Sequence, residues 1–311
     1  MTLGSVGQLA ALATAGSWTI TALAFEHAAK RIGAMALNLL RLALGFIFLG
    51  LWGLVTTGSF LPLSASPGTW MWLSASGVVG LVMGDLLLFQ AFIDVGSRVS
   101  MLIYASAPAL TALLGFAILG ERLGIGALAG MALTLAGIAL VVLGRGAPEK
   151  TGKAPDGKSK DVLASAARRA RGIALGFGAA LGQAGGLILG KIGAARMDPF
   201  AGTQIRVSAA LLCFAILVGA FGAGKGLVPA LRDRKAVASL TLGSFFGPFL
   251  GVSLSLLAIQ STKTGTAAAI MSIMPVLIIA PYALIYKEKV RAREIVGAVV
   301  AVAGVFVLFL A

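Results

Sequence analysis

The stretch Ala105–Leu123 reads ASAPALTALLGFAILGERL, and a second stretch, Ser272–Val290, reads SIMPVLIIAPYALIYKEKV. Sliding the sequence by 167 positions lays Pro108 on Pro275 and Glu121 on Glu288. The same shift aligns Gly80 with Gly247, Gly84 with Gly251, Ala91 with Ala258, Gly130 with Gly297 and Gly137 with Gly304, without a gap. An offset of 165 aligns Arg41 with Arg206 and Trp18 with Gln183. The chain therefore contains two copies of one pattern, with a small length change between the second and third hydrophobic stretches of each copy.

Working outward, both stretches lie in runs apolar on all faces. Of the 311 residues, 59% are apolar and only 12% charged, which places the chain in a bilayer rather than in water. A helix needs roughly 20 mostly apolar residues to cross the hydrocarbon. Such stretches fall at about 3–26, 33–56, 68–92, 97–119, 123–144, 172–195, 199–222, 236–259, 264–286 and 293–311. A membrane barrel would show short alternating segments instead. The reading is an all-α polytopic membrane protein with ten transmembrane helices in two inverted five-helix repeats, residues 1–144 and 172–311, joined by a basic linker at 145–171. Five is odd, so the second copy enters the membrane from the opposite side. The 42 glycines suit close helix packing in lipid.

The first span has no basic segment before it, and its counterpart recurs later, so it is expected to remain attached rather than be cleaved as a leader. One cysteine, Cys213, and one histidine, His27, leave no intrachain disulfide and too few ligands for a His/Cys metal site. No metal and no cofactor are expected. The formal charge of +14 sits mainly between spans, where anionic headgroups and membrane orientation account for it, so lipids and not nucleic acid are the expected partners. Lys30 and Arg31, the 145–171 segment, and the groups around Arg234 and Arg291 all follow odd-numbered spans; Arg122, Lys191, Arg196 and Lys263 follow even ones. That bias places both termini outside the cell.

Inverted repeats are a recurrent plan of secondary transporters, because one structure pointing both ways can open alternately to either side. A small-molecule carrier is the expected function. A channel, an intramembrane enzyme and a non-transporting scaffold are the rivals, and the sequence holds none of the motifs an enzyme would need: no His-Glu-x-x-His, no Gly-x-Ser-x-Gly and no paired acids within a span.

The run around Pro108 and Glu121, followed by Leu128-Ala-Gly and Leu135-Ala-Gly-Ile, resembles the EamA domain of the drug/metabolite transporter superfamily. The second copy keeps the frame in Met274-Pro-Val-Leu, Tyr286-Lys-Glu-Lys, Val296-Gly-Ala and Val302-Ala-Gly-Val, and Arg41 and Arg206 resemble that family's second-helix arginine. Ser17-Trp18-Thr19 stands where the family often has Trp-Gly, and Gly182-Gln183-Ala184 is its counterpart. The resemblance implies a ten-helix metabolite carrier of the cell inner membrane, commonly an exporter of amino acids or related compounds, with both termini inside. The orientation implied by charge and that implied by resemblance thus differ. A lipid or lipid-linked flippase is the alternative within the transporter class.

Candidate site residues follow from intramembrane polarity. Pro108 and Pro275 each lack an amide and release the carbonyl four residues back, on Tyr104 and Met271. One reading makes them a kinked pair lining a cavity with Tyr104, Ser106 and Ser272; the other is a packing kink. Trp18 and Gln183, at equivalent positions, join the cavity set, whereas Pro248 and Gln90 are read as local features. Asp85, inside the third span, either carries a coupling proton or pairs with Arg41. Arg41 and Arg206 either hold a substrate carboxylate or brace helix ends. Glu121 and Glu288 are read as structural, beside Arg122, Lys287 and Lys289. Gly80-x-x-x-Gly84 and Gly247-x-x-x-Gly251 provide close contacts, either within the chain or between the protomers of a homodimer.

Overall fold

A computed structural model describes residues 3–104, 106–144, 159–195, 197–220, 227–277, 281 and 292–310. Among them every regular element is helical. The first copy comprises α1 (Leu3–Ile32), α2 (Ala34–Thr57), α3 (Pro67–Gly77), a π-helical segment (Val78–Gly84), α4 (Asp85–Tyr104), α5 (Ala107–Leu119) and α6 (Ile125–Gly144). The second comprises α7 (Ser159–Gly193), α8 (Pro199–Ala220), a short α9 (Leu227–Arg232), α10 (Arg234–Ser244), a second π segment (Phe245–Gly251), α11 (Val252–Ser261), α12 (Thr264–Met271), α13 (Met274–Leu277) and α14 (Ala292–Leu310). The 167-residue shift carries the bounds of α3 onto those of α10, the first π segment onto the second, and the starts of α4, α5 and α6 onto those of α11, α13 and α14. Even the π turns, which widen a helix by one residue and are rare in isolation, recur in register.

Six helical runs are long and apolar enough to cross a membrane: Gly4–Phe25, Met35–Thr57, Pro67–Leu88, Ala167–Gly193, Pro199–Ala220 and Arg234–Ser261. Shorter apolar helices lie at Ala107–Leu119, Ile125–Gly137 and Ile295–Val307. Large apolar side chains project from their outer faces, among them Val55, Leu113, Phe116, Ile125, Leu212, Ile216, Val299 and Phe306. An apolar outer surface on helices of membrane-spanning length suits lipid, and the chain is a multi-pass membrane protein.

Three local features differ from the sequence reading. The break expected near residues 93–96 is absent, and the backbone stays helical from Pro67 to Tyr104. The equivalent point of the second copy does break, at Thr262 (φ −145°, ψ 177°), where the following helix is capped from outside. Residues 159–171, expected as part of a flexible linker, form the first turns of α7. Their Ala- and Arg-rich composition favours helix, and Arg171 grips Asp94 of α4 through two bonds of 2.7 and 2.8 Å. Finally, Pro108 and Pro275 do not kink continuous helices. Each opens a new helix after a gap, Pro108 one residue into α5 and Pro275 one residue into α13.

The two copies are packed through each other. Helix α1 lies against α10, α11 and the second π segment, while α7 lies against α3, α4 and the first π segment; α6 crosses α14. Ser76 Oγ donates to the Gly186 carbonyl at 2.6 Å, and Thr21 Oγ1, whose proton also faces the Ser17 carbonyl at 2.9 Å, reaches the Gly243 carbonyl at 3.3 Å. Ser76 and Gly243 are 167 apart, and Thr21 and Gly186 are 165 apart, so one contact is built twice with donor and acceptor helices exchanged. Glycine allows the approach. A Cβ on Gly186 would lie 2.9 Å from the Gly80 Cα, and a Cβ on Gly182 would lie 2.9 Å from the Gly84 Cα. The Gly80-x-x-x-Gly84 pair thus interlocks with Gly182-x-x-x-Gly186 inside the chain, as small-residue stripes do where lipid supplies no hydrophobic drive.

Candidate functional site

Where α1 and α7 of the two copies face the breaks before α5 and α13, the packing leaves a cavity of about 60 Å³. Trp18, Tyr104, Pro108, Gln183 and Ser272 line it, together with Ala107, Thr111, Leu187, Ala268, Met271 and Met274. Trp18 and Gln183 are counterparts at offset 165, and Tyr104 and Met271 are counterparts at 167, so the cavity draws matching positions from both copies. The indole of Trp18 is seated against Gly251, where a Cβ would meet Cδ1 and Nε1 at 2.7 Å.

The lining chemistry follows from the broken helices. Helix α4 ends at Tyr104, Ser106 N donates to the Ile103 carbonyl at 3.0 Å, and α5 starts at Ala107. Because Pro108 has no amide, the carbonyl of Tyr104 loses its helical donor; Pro275 does the same to Met271. Discontinuous helices at membrane depth are tolerated where they line a cavity. The hydroxyl of Ser272, a lining residue, donates to the Ala269 carbonyl at 2.8 Å, so it can offer a ligand only an acceptor. Ser106 makes the analogous bond to Ile103, at 2.6 Å, but does not line the cavity. The side chain of Pro275 lies outside the described residues, as does Glu288.

Arg41 and Asp85 form an ion pair behind Tyr104, which interacts electrostatically with both. The guanidinium also sits over the Phe25 ring, 5.9 Å from its centroid, while its Nε has no hydrogen-bond partner. Of the two readings of Asp85, the geometry realises the pair. Arg206, the counterpart of Arg41, is 4% exposed and has no ion-pair partner among the described residues, because Val252 stands where Asp85 stands in the first copy. Gln90 bonds Asp94 at 3.3 Å, and Pro248 packs against Gly45, so neither belongs to the cavity.

One polar cluster was not legible from spacing. Glu121 does not pair locally with Arg122 but accepts from Lys191 Nζ at 2.5 Å, and from Thr264 N and Oγ1 at 2.8 and 2.7 Å. Lys191 also donates to the Thr262 carbonyl at 2.8 Å. A carboxylate from the first copy therefore caps the N-terminus of α12 in the second. Burial pushes the Glu121 carboxyl up, but the Lys191 and Thr264 hydrogen bonds outweigh burial and hold it below its ordinary range. The cluster lies against α5 one turn beyond the cavity residue Thr111: a Cβ on Gly115 would meet Thr264 Oγ1 at 2.6 Å and Glu121 Oε2 at 3.1 Å.

The model of the EamA-like transporter family matches residues 5–143 and 170–310, one match for each copy. No curated protein matches the chain. A solved structure, described only as a crystal structure of a protein, superposes with a TM-score of 0.74 over 97% of this chain and 95% of that one. Its identity is 16%, so the likeness is of fold alone. With both copies matched in full and the interlocked helices in place, the chain belongs to the EamA-like transporter family.

Proposed function

We propose that this transporter is a secondary carrier of ten spans in two inverted five-helix repeats, residues 1–144 and 172–311, which alternates access around the Trp18–Tyr104–Gln183–Ser272 cavity and exports amino acids or related compounds across the inner membrane. The observation that carries the reading is the exchanged contact: Ser76 to Gly186 in one half-interface and Thr21 to Gly243 in the other. Two equivalent interfaces around one cavity can open in turn, one on each side, at nearly equal energetic cost. The cavity volume supports the same reading. At about 60 Å³ it is far smaller than the roughly 300–1,000 Å³ of ligand pockets, so the halves must separate before a metabolite fits.

Asp85 is the coupling group in this scheme. Protonating it breaks the pair with Arg41 and frees the helix break at Tyr104; deprotonation restores the pair. Export of labelled amino acids from proteoliposomes, with and without a pH gradient, tests the scheme. Wild type is expected to follow the gradient and Asp85→Asn to lose that dependence. Gradient-independent transport by wild type would replace proton coupling with uniport or exchange.

A further inference from the structure

The two copies carry one arginine each at the same depth but only one counter-ion. Arg41 is paired with Asp85, whereas Arg206 lies seven residues into α8, about 10 Å along the helix, with no ion-pair partner among the described residues and with Val252 at the position equivalent to Asp85. Its side chain is 96% buried, and neither Nε nor Nη1 has a hydrogen-bond partner. A permanent cation held this way inside a membrane is costly unless something neutralises it.

The surroundings are arranged for a ligand with acceptor oxygens. Helices α7, α8 and α11 descend together from the membrane face: Gln260 ties α11 to Ala194 and Met197, and one level deeper Leu256 meets Gly190 and Gly202. Deeper still, Gly186 and Arg206 both approach Gly80 of the first copy. Thr203 lies one turn before Arg206 in α8, Ser253 lies in α11, which packs on α8, and both hydroxyls are buried with no partner. Nη2 of Arg206 lies 3.8 Å from where a Cβ of Gly80 would sit, and Gly80 faces Gly186. These two glycines put no side chain around the guanidinium, and Gln183, one turn from Gly186, lines the cavity. Water alone would meet the hydrogen-bonding needs but not the charge.

We propose that the uncompensated guanidinium of Arg206, with the Ser253 and Thr203 hydroxyls, is the receptor for the carboxylate of the transported solute, so that the carrier selects carboxylate-bearing compounds. The proposal rests on the carrier reading above and narrows its substrate class. Arg41 cannot serve equally while Asp85 is ionised, because that carboxylate already occupies it. The asymmetry between otherwise equivalent halves gives the solute one defined orientation in the cavity.

The test is thermal unfolding of the purified full-length protein against the common amino acids and small dicarboxylates, each beside its carboxamide. At least one carboxylate is expected to raise Tm while its carboxamide does not. Arg206→Gln should weaken that apparent affinity about 10- to 100-fold, the range for a charge-assisted hydrogen-bonded contact. Val252→Asp should weaken it likewise while keeping the arginine, by supplying the counter-ion that the second copy lacks. Equal shifts by acid and amide, retention of the discrimination in Arg206→Gln, or no shift with any carboxylate would overturn the proposal. So would an Arg206-dependent shift reproduced in full by chloride against methanesulfonate at constant ionic strength. Export of solutes by wild type despite such a result would remove the carboxylate assignment and leave the carrier reading standing.

Discussion

Lys191 Nζ lies 2.5 Å from Glu121 Oε1, joining α7 of the second copy to the loop after α5 of the first. Both side chains are mostly buried, so the pair lies between a surface ion pair and a fully desolvated one. Lys191→Met is expected to destabilise the protein by about 1–3 kcal/mol, a loss of a few degrees in Tm. Thermal unfolding in detergent measures it.

The pH dependence of that cluster has a definite sign. The folded-state pKa of Glu121 lies below its ordinary value of 4.5, so the carboxylate contributes stability above that value and loses it as pH falls through the lowered folded pKa. Wild type should therefore lose more Tm than Glu121→Gln on acidification below about pH 4.5. Parallel Tm curves for the two proteins would contradict the assignment.

Asp85→Asn leaves Arg41 buried without its carboxylate, with Nε already unpaired. Breaking one side of a buried pair costs roughly 3–5 kcal/mol, whereas removing both charges is far milder. The double variant Asp85→Asn/Arg41→Gln should thus unfold at a higher temperature than Asp85→Asn alone. A double-variant cycle in Tm reads the difference.

The glycine contacts predict an uneven outcome for matched substitutions. Gly186→Ala drives a Cβ to 2.9 Å from the Gly80 Cα, whereas Gly80→Ala places its Cβ at an ordinary 3.5 Å from the Gly186 Cα. The first should lower Tm and yield of folded protein, and the second should be tolerated. Gly137→Ala is more severe still, at 2.3 Å from the Ala301 amide where α6 crosses α14.

Cavity residues separate from a near neighbour of the same type. Tyr104→Ala, Gln183→Ala and Ser272→Ala should each change apparent KM or rate of export, whereas Ser106→Ala, which removes a hydroxyl bonded to the end of α4 and outside the cavity lining, should leave both within about twofold. Export kinetics in proteoliposomes check this.

Much of the architecture could be read before any coordinates, and the reasons are physical. A repeat preserves spacing, so Pro108 and Pro275 mark the same helix break in each half, and five of the nine cavity residues expected from intramembrane polarity, Trp18, Tyr104, Pro108, Gln183 and Ser272, lie around one space. What spacing does not carry is contact across the interface. Nothing near Glu121 signals Lys191, seventy residues on, because a helix end takes its cap from whichever element the fold delivers. Hydropathy also misplaced local breaks. Residues 92–97 contain no proline and stay helical, and the linker's alanines and arginines extend α7 back to Ser159. Arg41 and Arg206 look alike in sequence; the partner position, Asp85 against Val252, distinguishes a paired cation from one with no ion-pair partner among the described residues.

Alternating access is tested most directly by replacing Cys213 with serine, placing a single cysteine at Ser272, and labelling it with a membrane-impermeant thiol reagent from each side of sealed vesicles. The account predicts labelling from either side, one at a time, with a pH gradient or saturating solute shifting the balance between them. Labelling confined to one side under all conditions, or from both sides at once as in an open channel, would contradict it.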